Sequence, residues 1–307
     1  MSETWPRSRG SAEGLISLGE LPEVIASMEL YDPTIASRAL ETLLTYVGPM
    51  TDRPRYYATD SSRNVITRDR RTVRIEDARS RPQPPSLAQE GFALFLHKTA
   101  VSNFCNPEEL ARIYEPEMER LVTEVSGADK VVICGPVVLR FSKSMPDSSG
   151  LHILRPGHFV HIDFSDSVVA ELTERWRPRS DGRAVRRFAH YNIWRVLTPP
   201  PQDIPLALCD ACSISSSDLV DADSITDTPG RPESSSVVVV VRHNPRHRWS
   251  YFPNLSRDEV VVFKSHDSDP RQPHHVAHSA FRDLSCPSGV APRASIEARV
   301  VAFWFAS

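Results

Sequence analysis

Between Lys130 and the C-terminus the spacing of apolar residues follows a period of two, as on a strand with one face buried. The pattern predicts strands at Lys130–Phe141, Phe159–Phe164, Ala189–Leu197, Ser236–His243, Arg248–Phe252, Glu259–Ser265, Val276–Phe281 and Ser295–Phe305. A further short strand, Gly91–His97, precedes them. Many short strands joined by long loops point to a mainly β fold, a double-stranded β-helix or jelly roll.

Helical spacing governs a shorter stretch. Asn106-Pro-Glu-Glu combines a capping side chain, a proline in the first turn and two acids at the positive end of the helix dipole. Leu110, Ile113, Tyr114, Met118, Leu121, Val122 and Val125 then recur at helical intervals. Pro116 predicts a kink or two abutting helices, and Gly127 the stop. Leu21 to Val47 holds further helical candidates, Thr34–Leu44 foremost. The N-terminal helices are expected to brace one outer face of the jelly roll.

Residues 1–20 are polar and expected to be flexible. An extended arm, Arg55 to Pro85, ends in the proline-rich connector Arg79–Ser86. The weakly apolar segments Ser142–Pro156 and Ser213–Ser235 are expected to be mobile and to close over the site as a lid. No feature separates two cores, so 1–307 is expected to be one domain, with its jelly-roll core at about 130–307.

A net charge of −3 over 307 residues argues against a nucleic-acid partner, which would require a basic surplus. The N-terminus has no apolar run of signal-peptide type, and no segment reaches the length of a membrane span. A cytoplasmic protein, monomeric or homodimeric, is expected. Five scattered cysteines do not form a disulfide framework, and Cys209-Asp-Ala-Cys212 lacks the second pair of a zinc site. It reads as a strand entering a loop.

His161-Ile-Asp163 offers the first specific chemistry. Side chains two apart on a strand share a face, so an imidazole and a carboxylate are aimed into one space. A distant histidine would complete the two-His-one-carboxylate triad of non-haem iron(II) oxygenases. His278, flanked by apolar residues on a predicted strand, is the candidate. His274 and His275 lie in a proline-rich loop, and His266 is a fallback. An oxygenase using 2-oxoglutarate also needs a cation for the distal carboxylate, and guanidinium gives a planar two-point contact. Arg293 and Ser295 share a face at the start of the terminal strand, with Arg299 further along it. Asn192 and Trp194 share a face of the Ala189–Leu197 strand, where they could touch co-substrate or substrate. The same ligands would also suit a cupin-type metal dioxygenase or isomerase, and a non-catalytic jelly-roll binding protein is the third reading. Hydrolase, dinucleotide and phosphate-loop motifs are absent.

Several further segments occur in order: Ser86-Leu-Ala-Gln-Glu-Gly-Phe92, Tyr114-Glu-Pro-Glu117, Gly127-Ala-Asp-Lys-Val131, Tyr191-Asn-Ile-Trp-Arg-Val196, Gln202-Asp-Ile-Pro-Leu-Ala-Leu-Cys-Asp210, His278-Ser-Ala-Phe281 and Arg293-Ala-Ser-Ile-Glu-Ala-Arg299. Together with Val160-His-Ile-Asp163 they resemble the fungal hydroxylase/desaturase family, which includes gibberellin desaturase-like enzymes and relatives of the cephalosporin 7α-methoxylation proteins. The resemblance extends from about Gly48 onward. It implies a double-stranded β-helix that uses Fe(II), 2-oxoglutarate and O2 to hydroxylate or desaturate a small secondary metabolite. It also implies His278 as the distal ligand. The family often has Arg-Glu-Ser-Ile-Glu where Ala294 stands here, and the pair His274 and His275 is a departure.

Overall fold

In the computed structural model, which describes residues 39–57, 60–142, 151–179, 182–227 and 232–306, the alternating segments form two β-sheets. One runs through β1 (Leu40–Val47), β3 (Arg68–Asp77), β13 (Trp249–Tyr251), β10 (Leu206–Cys209), β15 (His278–Ala280), β8 (His161–Ile162), β12 (Ser234–Val241), β11 (Leu219–Thr226) and β2 (Arg55–Tyr57). The other runs through β4 (Phe92–Leu96), β14 (Glu259–Asp267), β9 (Val185–Val196), β16 (Ala294–Phe305), β6 (Val138–Phe141) and β7 (His152–Leu154), with β5 (Lys130–Ile133) also paired to β16. Trp194 and Val196 of β9 and Val261 and Phe263 of β14 pack against Leu206 and Leu208 of β10. The sheets thus meet across an apolar layer.

The other face of β9 and β16 carries Tyr191, Ile193, Ile296, Ala298, Val300 and Ala302 into a second core, which the expected helix covers. That helix runs as α1 (Pro107–Glu109), a π-helical turn (Leu110–Tyr114) and α2 (Glu115–Ser126). Asn106 Oδ1 accepts from the backbone N–H groups of Glu108 and Glu109. Pro116 has no N–H to continue the α pattern, and the wide turn just before it absorbs the mismatch. Gly127 closes the helix at φ 66°, with its N–H on the Thr123 carbonyl. Met118, Leu121 and Val122 face the sheet.

Three expectations are corrected. Leu40–Leu44 is not helical: it belongs to β1, where Leu44 is buried and Leu43 is 61% exposed, and all eight residues of the strand pair with β3. Residues 34–38 of the Thr34–Leu44 candidate, like residues 1–20, lie outside the described residues. Ser213–Ser235 is not a free loop, because β11 within it pairs residue for residue with β12 from Leu219↔Val241 to Thr226↔Ser234. Its Asp and Ser side chains occupy a strand that shares a ladder on both sides. Most of Ser142–Pro156 falls on residues 143–150, outside those described. The strands also begin well before the expected Gly91–His97 strand, which forms β4, since β1, β2 and β3 join the first sheet.

A helix absent from the expectations follows the His-x-Asp segment. α3 (Asp166–Trp176) is capped by Ser165, whose hydroxyl accepts from the Ser167 N–H. Val169 and Thr173 form its buried face. Thr173 Oγ1 donates to the Val169 carbonyl at 2.7 Å and so can only accept from His190 Nε2–H at 2.8 Å. His190 of β9 is therefore a neutral Nε2–H tautomer docking α3 onto the sheet.

Burial pushes the His190 pKa down to about 3, with the nearby His266 acting in the same direction. In the unfolded chain an imidazole titrates near ~6.5. Between these values the unfolded state binds more protons, so stability rises with pH and is lost as pH falls below about 6.5. Denaturant unfolding at pH 7 and pH 4.5 should show this loss. In His190→Gln the slope should be shallower by as much as ~1.4 kcal/mol per pH unit. An unchanged slope would show that His190 is protonated equally in both states.

Candidate active site

β8 lies between β12 and β15, and its register sets His161 directly opposite His278. Cross-strand partners share a face, and the two rings stand 4.3 Å apart between centroids. Each ring is held by the carbonyl two residues before it. His161 Nδ1–H donates to Phe159 O at 2.7 Å, and His278 Nδ1–H donates to Val276 O at 3.3 Å. These bonds fix the tautomer that leaves both Nε2 lone pairs for a metal. Burial, aided by His161, brings the His278 pKa down to about 4, so this ring is neutral near pH 7.

Asp163 follows the end of β8, with Oδ1 3.6 Å from His161 Nε2. Ligand atoms of His161, Asp163 and His278 lie within 4.8 Å of one another. The other carboxylate oxygen, Oδ2, accepts from Arg299 Nε at 2.8 Å and from Asn192 Nδ2. Burial favours the neutral acid, but Arg299 and the two imidazoles outweigh it and hold Asp163 well below the usual carboxylate range. Oδ1 is thereby left facing the histidines. Two neutral imidazoles and one carboxylate oxygen on a common face are the donor set that suits Fe(II).

The opposite wall comes from the second sheet. Ser295, Glu297 and Arg299 alternate along β16 on the face that pairs with Trp194 and Asn192 of β9, and Arg293 immediately precedes the strand. Arg293 is 1% exposed. Its Nη1 donates to Ile204 O at 2.8 Å, while its Nε and the Ser295 hydroxyl have no partner. Its guanidinium lies 5.6 Å from the Trp194 ring centroid. Burial, with Arg140 nearby, brings the Arg293 pKa down to about 9. Leaving buried donors unpaired is costly, and a carboxylate would satisfy both at once.

Arg299, expected as a reserve anchor, has other partners: Asp163 and, at 2.6 Å, Glu297. Asn192 is likewise bound to Asp163 and Glu297 rather than open to a ligand. Glu297 and Arg140 were not anticipated. Arg140 Nε meets Glu297 Oε2 at 3.1 Å, and Arg299 and Arg140 hold the Glu297 pKa down against the effect of burial. The two-residue alternation of β16 was the signal for Glu297, and a lone arginine between Leu139 and Phe141 was the signal for Arg140.

Arg140, Gly157, His161, Trp194, Leu206, Phe263, His278, Ala280, Arg293 and Glu297 line one cavity. It is narrow, about 20 Å³, which is room for about one water; a dicarboxylate enters only as its walls shift. A larger cavity, about 280 Å³ beside Leu40–Thr42 and Phe281–Ser285, carries no such donor set. Cys209 and Cys212 do not form a reactive pair. Both thiols are free and pushed up by burial, Cys209 to about 12.

Residues 44–303 match the family model described as "Oxidoreductase/YMDC permease-like domain". Hydroxylase/desaturase efuI of Hormonema carpetanum is 30% identical over 250 residues, 76% of this chain and 83% of that protein. Hydroxylase/desaturase CTB9 of Cercospora beticola is 28% identical over 252 residues, 76% of each. The Fe(II)/2-oxoglutarate-dependent dioxygenase nvfI of Aspergillus novofumigatus is 27% identical, covering 75% of this chain and 82% of its own. A solved structure of the iron and alpha-ketoglutarate-dependent endoperoxidase NvfI superposes with a TM-score of 0.73 at 24% identity, over 89% of this chain and all of that one. The jelly-roll fold is shared with it.

Gly157 lies against the His161 ring. A Cβ there would stand 3.1 Å from His161 Cε1, and the ring cannot retreat freely between the Phe159 carbonyl and His278. Gly157→Ala should therefore weaken metal binding about tenfold or more, because a ligand ring is turned from its position. Metal affinity by isothermal titration checks this; native affinity would mean that the ring adapts.

Proposed function

The chain belongs to the oxidoreductase/YMDC permease-like domain family, and we propose that it is a non-haem Fe(II)/2-oxoglutarate-dependent oxygenase that hydroxylates or desaturates a small secondary metabolite. The names of its relatives support the reaction class. One observation carries the assignment to this site. The His161–Asp163–His278 donor set on one sheet faces, across the cavity, a buried Arg293 with an unpaired Nε and an unpaired Ser295 hydroxyl on the other.

His161 Nε2, His278 Nε2 and Asp163 Oδ1 would hold Fe(II), leaving the remaining positions for 2-oxoglutarate and O2. The chemistry that bound Fe(II) supplies is the oxidative decarboxylation of 2-oxoglutarate by O2, coupled to oxidation of a substrate C–H bond. Arg293 and Ser295 would receive the distal carboxylate of 2-oxoglutarate. Trp194 and Phe263 would form the apolar walls that exclude water. Arg299 and Asn192 orient the carboxylate ligand, and Glu297, bridged by Arg299, Arg140 and Asn192, keeps that cluster balanced in charge. In a cupin-type reading Arg293 would be free to bind something else, and the names of the relatives favour the 2-oxoglutarate reading.

We take 1–307 as a single oxygenase domain working on a small molecule, as a monomer or homodimer in the cytoplasm. Among the described residues no helix is long and apolar enough to cross a membrane, and all five cysteines are free, as a reducing compartment favours.

Anaerobic addition of Fe(II) and 2-oxoglutarate should give the weak visible absorption of their chelate, and its absence would refute the proposal. His278→Ala should abolish iron retention and turnover. Arg293→Ala should keep iron but raise the 2-oxoglutarate requirement on the order of 10²–10⁴-fold, since breaking a buried charge pair costs ~3–5 kcal/mol. Arg293→Lys should recover part of this, an ammonium lacking the planar contact. Equal affinity in native and Arg293→Ala chains would move the anchor elsewhere.

A further inference from the structure

We propose that Asp166, His266 and His275 form a second site for a divalent transition metal, beside the His161–Asp163–His278 site and distinct from it. Their ligand atoms lie within 4.8 Å of one another. His266 Nδ1 is 2.7 Å and His275 Nε2 2.9 Å from the same Asp166 oxygen, Oδ1. In a metal complex with bonds of ~2.0–2.2 Å, neighbouring donors stand about 3 Å apart. The three groups are thus nearly at coordination spacing already.

Topology explains why the two sites adjoin. β8 and β15 are antiparallel, with His161 opposite His278. Three residues beyond Asp163 and three before His278 therefore lead in the same direction, to Asp166 and His275. The third donor depends on an irregularity in β14. Its pairing with β9 shifts between Lys264 and His266, so that His266 pairs with His190. Without that bulge His266 would point to the other side of the sheet; with it, His266 shares the face of Asn192 and Phe263. His275 adopts a left-handed backbone, φ 63°, uncommon for a residue with a Cβ. Three separate segments thus bring two imidazoles and a carboxylate to one point.

A carboxylate oxygen only accepts, so in the absence of metal both imidazoles must present N–H groups to one oxygen. For one ion to bind all three groups, each of those protons moves to the other nitrogen of its ring or is released to water. Asp166 is 56% exposed, whereas His266 and His275 are 12% and 14% exposed. The site therefore has an entry path and room for water ligands on one side, with sheltered nitrogens on the other. Two imidazoles with one carboxylate suit Zn(II), Co(II), Ni(II) or Cu(II) and not Mg(II) or Ca(II). A bound ion would tie the start of α3 to β14 and to the turn before β15.

Anaerobic Co(II) titration of the metal-free full chain, followed by visible absorption and equilibrium dialysis, tests this. Two equivalents are expected. Asp166→Asn and His275→Gln should each remove one and keep the other, and His161→Gln should remove the other one. If either of the first two fails to fold by circular dichroism, the His161→Gln chain decides: it should still bind one equivalent of Co(II) and gain thermal stability with it. One equivalent in the native chain that is lost in His161→Gln overturns the second site. So do two equivalents that survive in both Asp166→Asn and His275→Gln. One equivalent lost only in Asp166→Asn and His275→Gln would support this site while refuting the catalytic one.

Discussion

An ionised carboxylate in a dry interior must be compensated, and Asp163 is the residue on which this requirement falls. It sits at the end of a two-residue strand in one sheet, while its compensating donors, Arg299 and Asn192, belong to the other. The two sheets are thus joined at the site by charge as well as by the apolar layer of Trp194, Leu206 and Phe263. Burying an ion costs several kcal/mol unless it is well paired. The polar network of Asp163, Asn192, Glu297, Arg299 and Arg140 meets that condition with nearly every donor and acceptor engaged.

β16 shows how one strand serves both needs. Its inner face, continued backward by Arg293 just before the strand, reads Ser295, Glu297, Arg299, and its outer face Ile296, Ala298, Val300, Ala302 in the core beneath α2. Two of the inner residues complete the network. The other two, Arg293 and Ser295, retain unsatisfied atoms. Unsatisfied side-chain atoms also occur at Tyr114, Ser142, Arg195, Thr198 and His247, but those of Arg293 and Ser295 lie two residues apart on one face, where a single ligand would satisfy both.

Much of this was legible in the sequence because it depends on local periodicity. The i, i+2 spacing of His161 and Asp163 and the alternation of β9, β12, β14 and β16 are local signals, and so are the cap at Asn106 and the stop at Gly127. Cross-strand register is not local. Nothing in the sequence stated that Arg299 faces Asp163, so the arginine nearer the middle of β16 was read as a reserve anchor instead of the partner of a ligand. β11 was misread because its Asp and Ser content outweighed a pairing that only β12 and β2 reveal. α3 did have a local signal, a Ser165 cap with Asp166 in the first turn and apolar residues at helical spacing, which the neighbouring metal motif overshadowed.

The clamps on the three candidate ligands differ in reach. His161 and His278 are each oriented by a carbonyl of their own segment, two residues away, whereas the Asp163 carboxylate is oriented from across the gap between sheets. Sliding one sheet over the other would leave the imidazole pair aligned and release only Oδ2. The Asp163 carboxylate would then be free to turn within the cavity while the two rings stayed in place. The donor set is therefore sensitive to sheet-to-sheet spacing at one residue only. A molecule that wedged the sheets apart would act on the donor set through Asp163 alone, without touching any of the three candidate ligands directly.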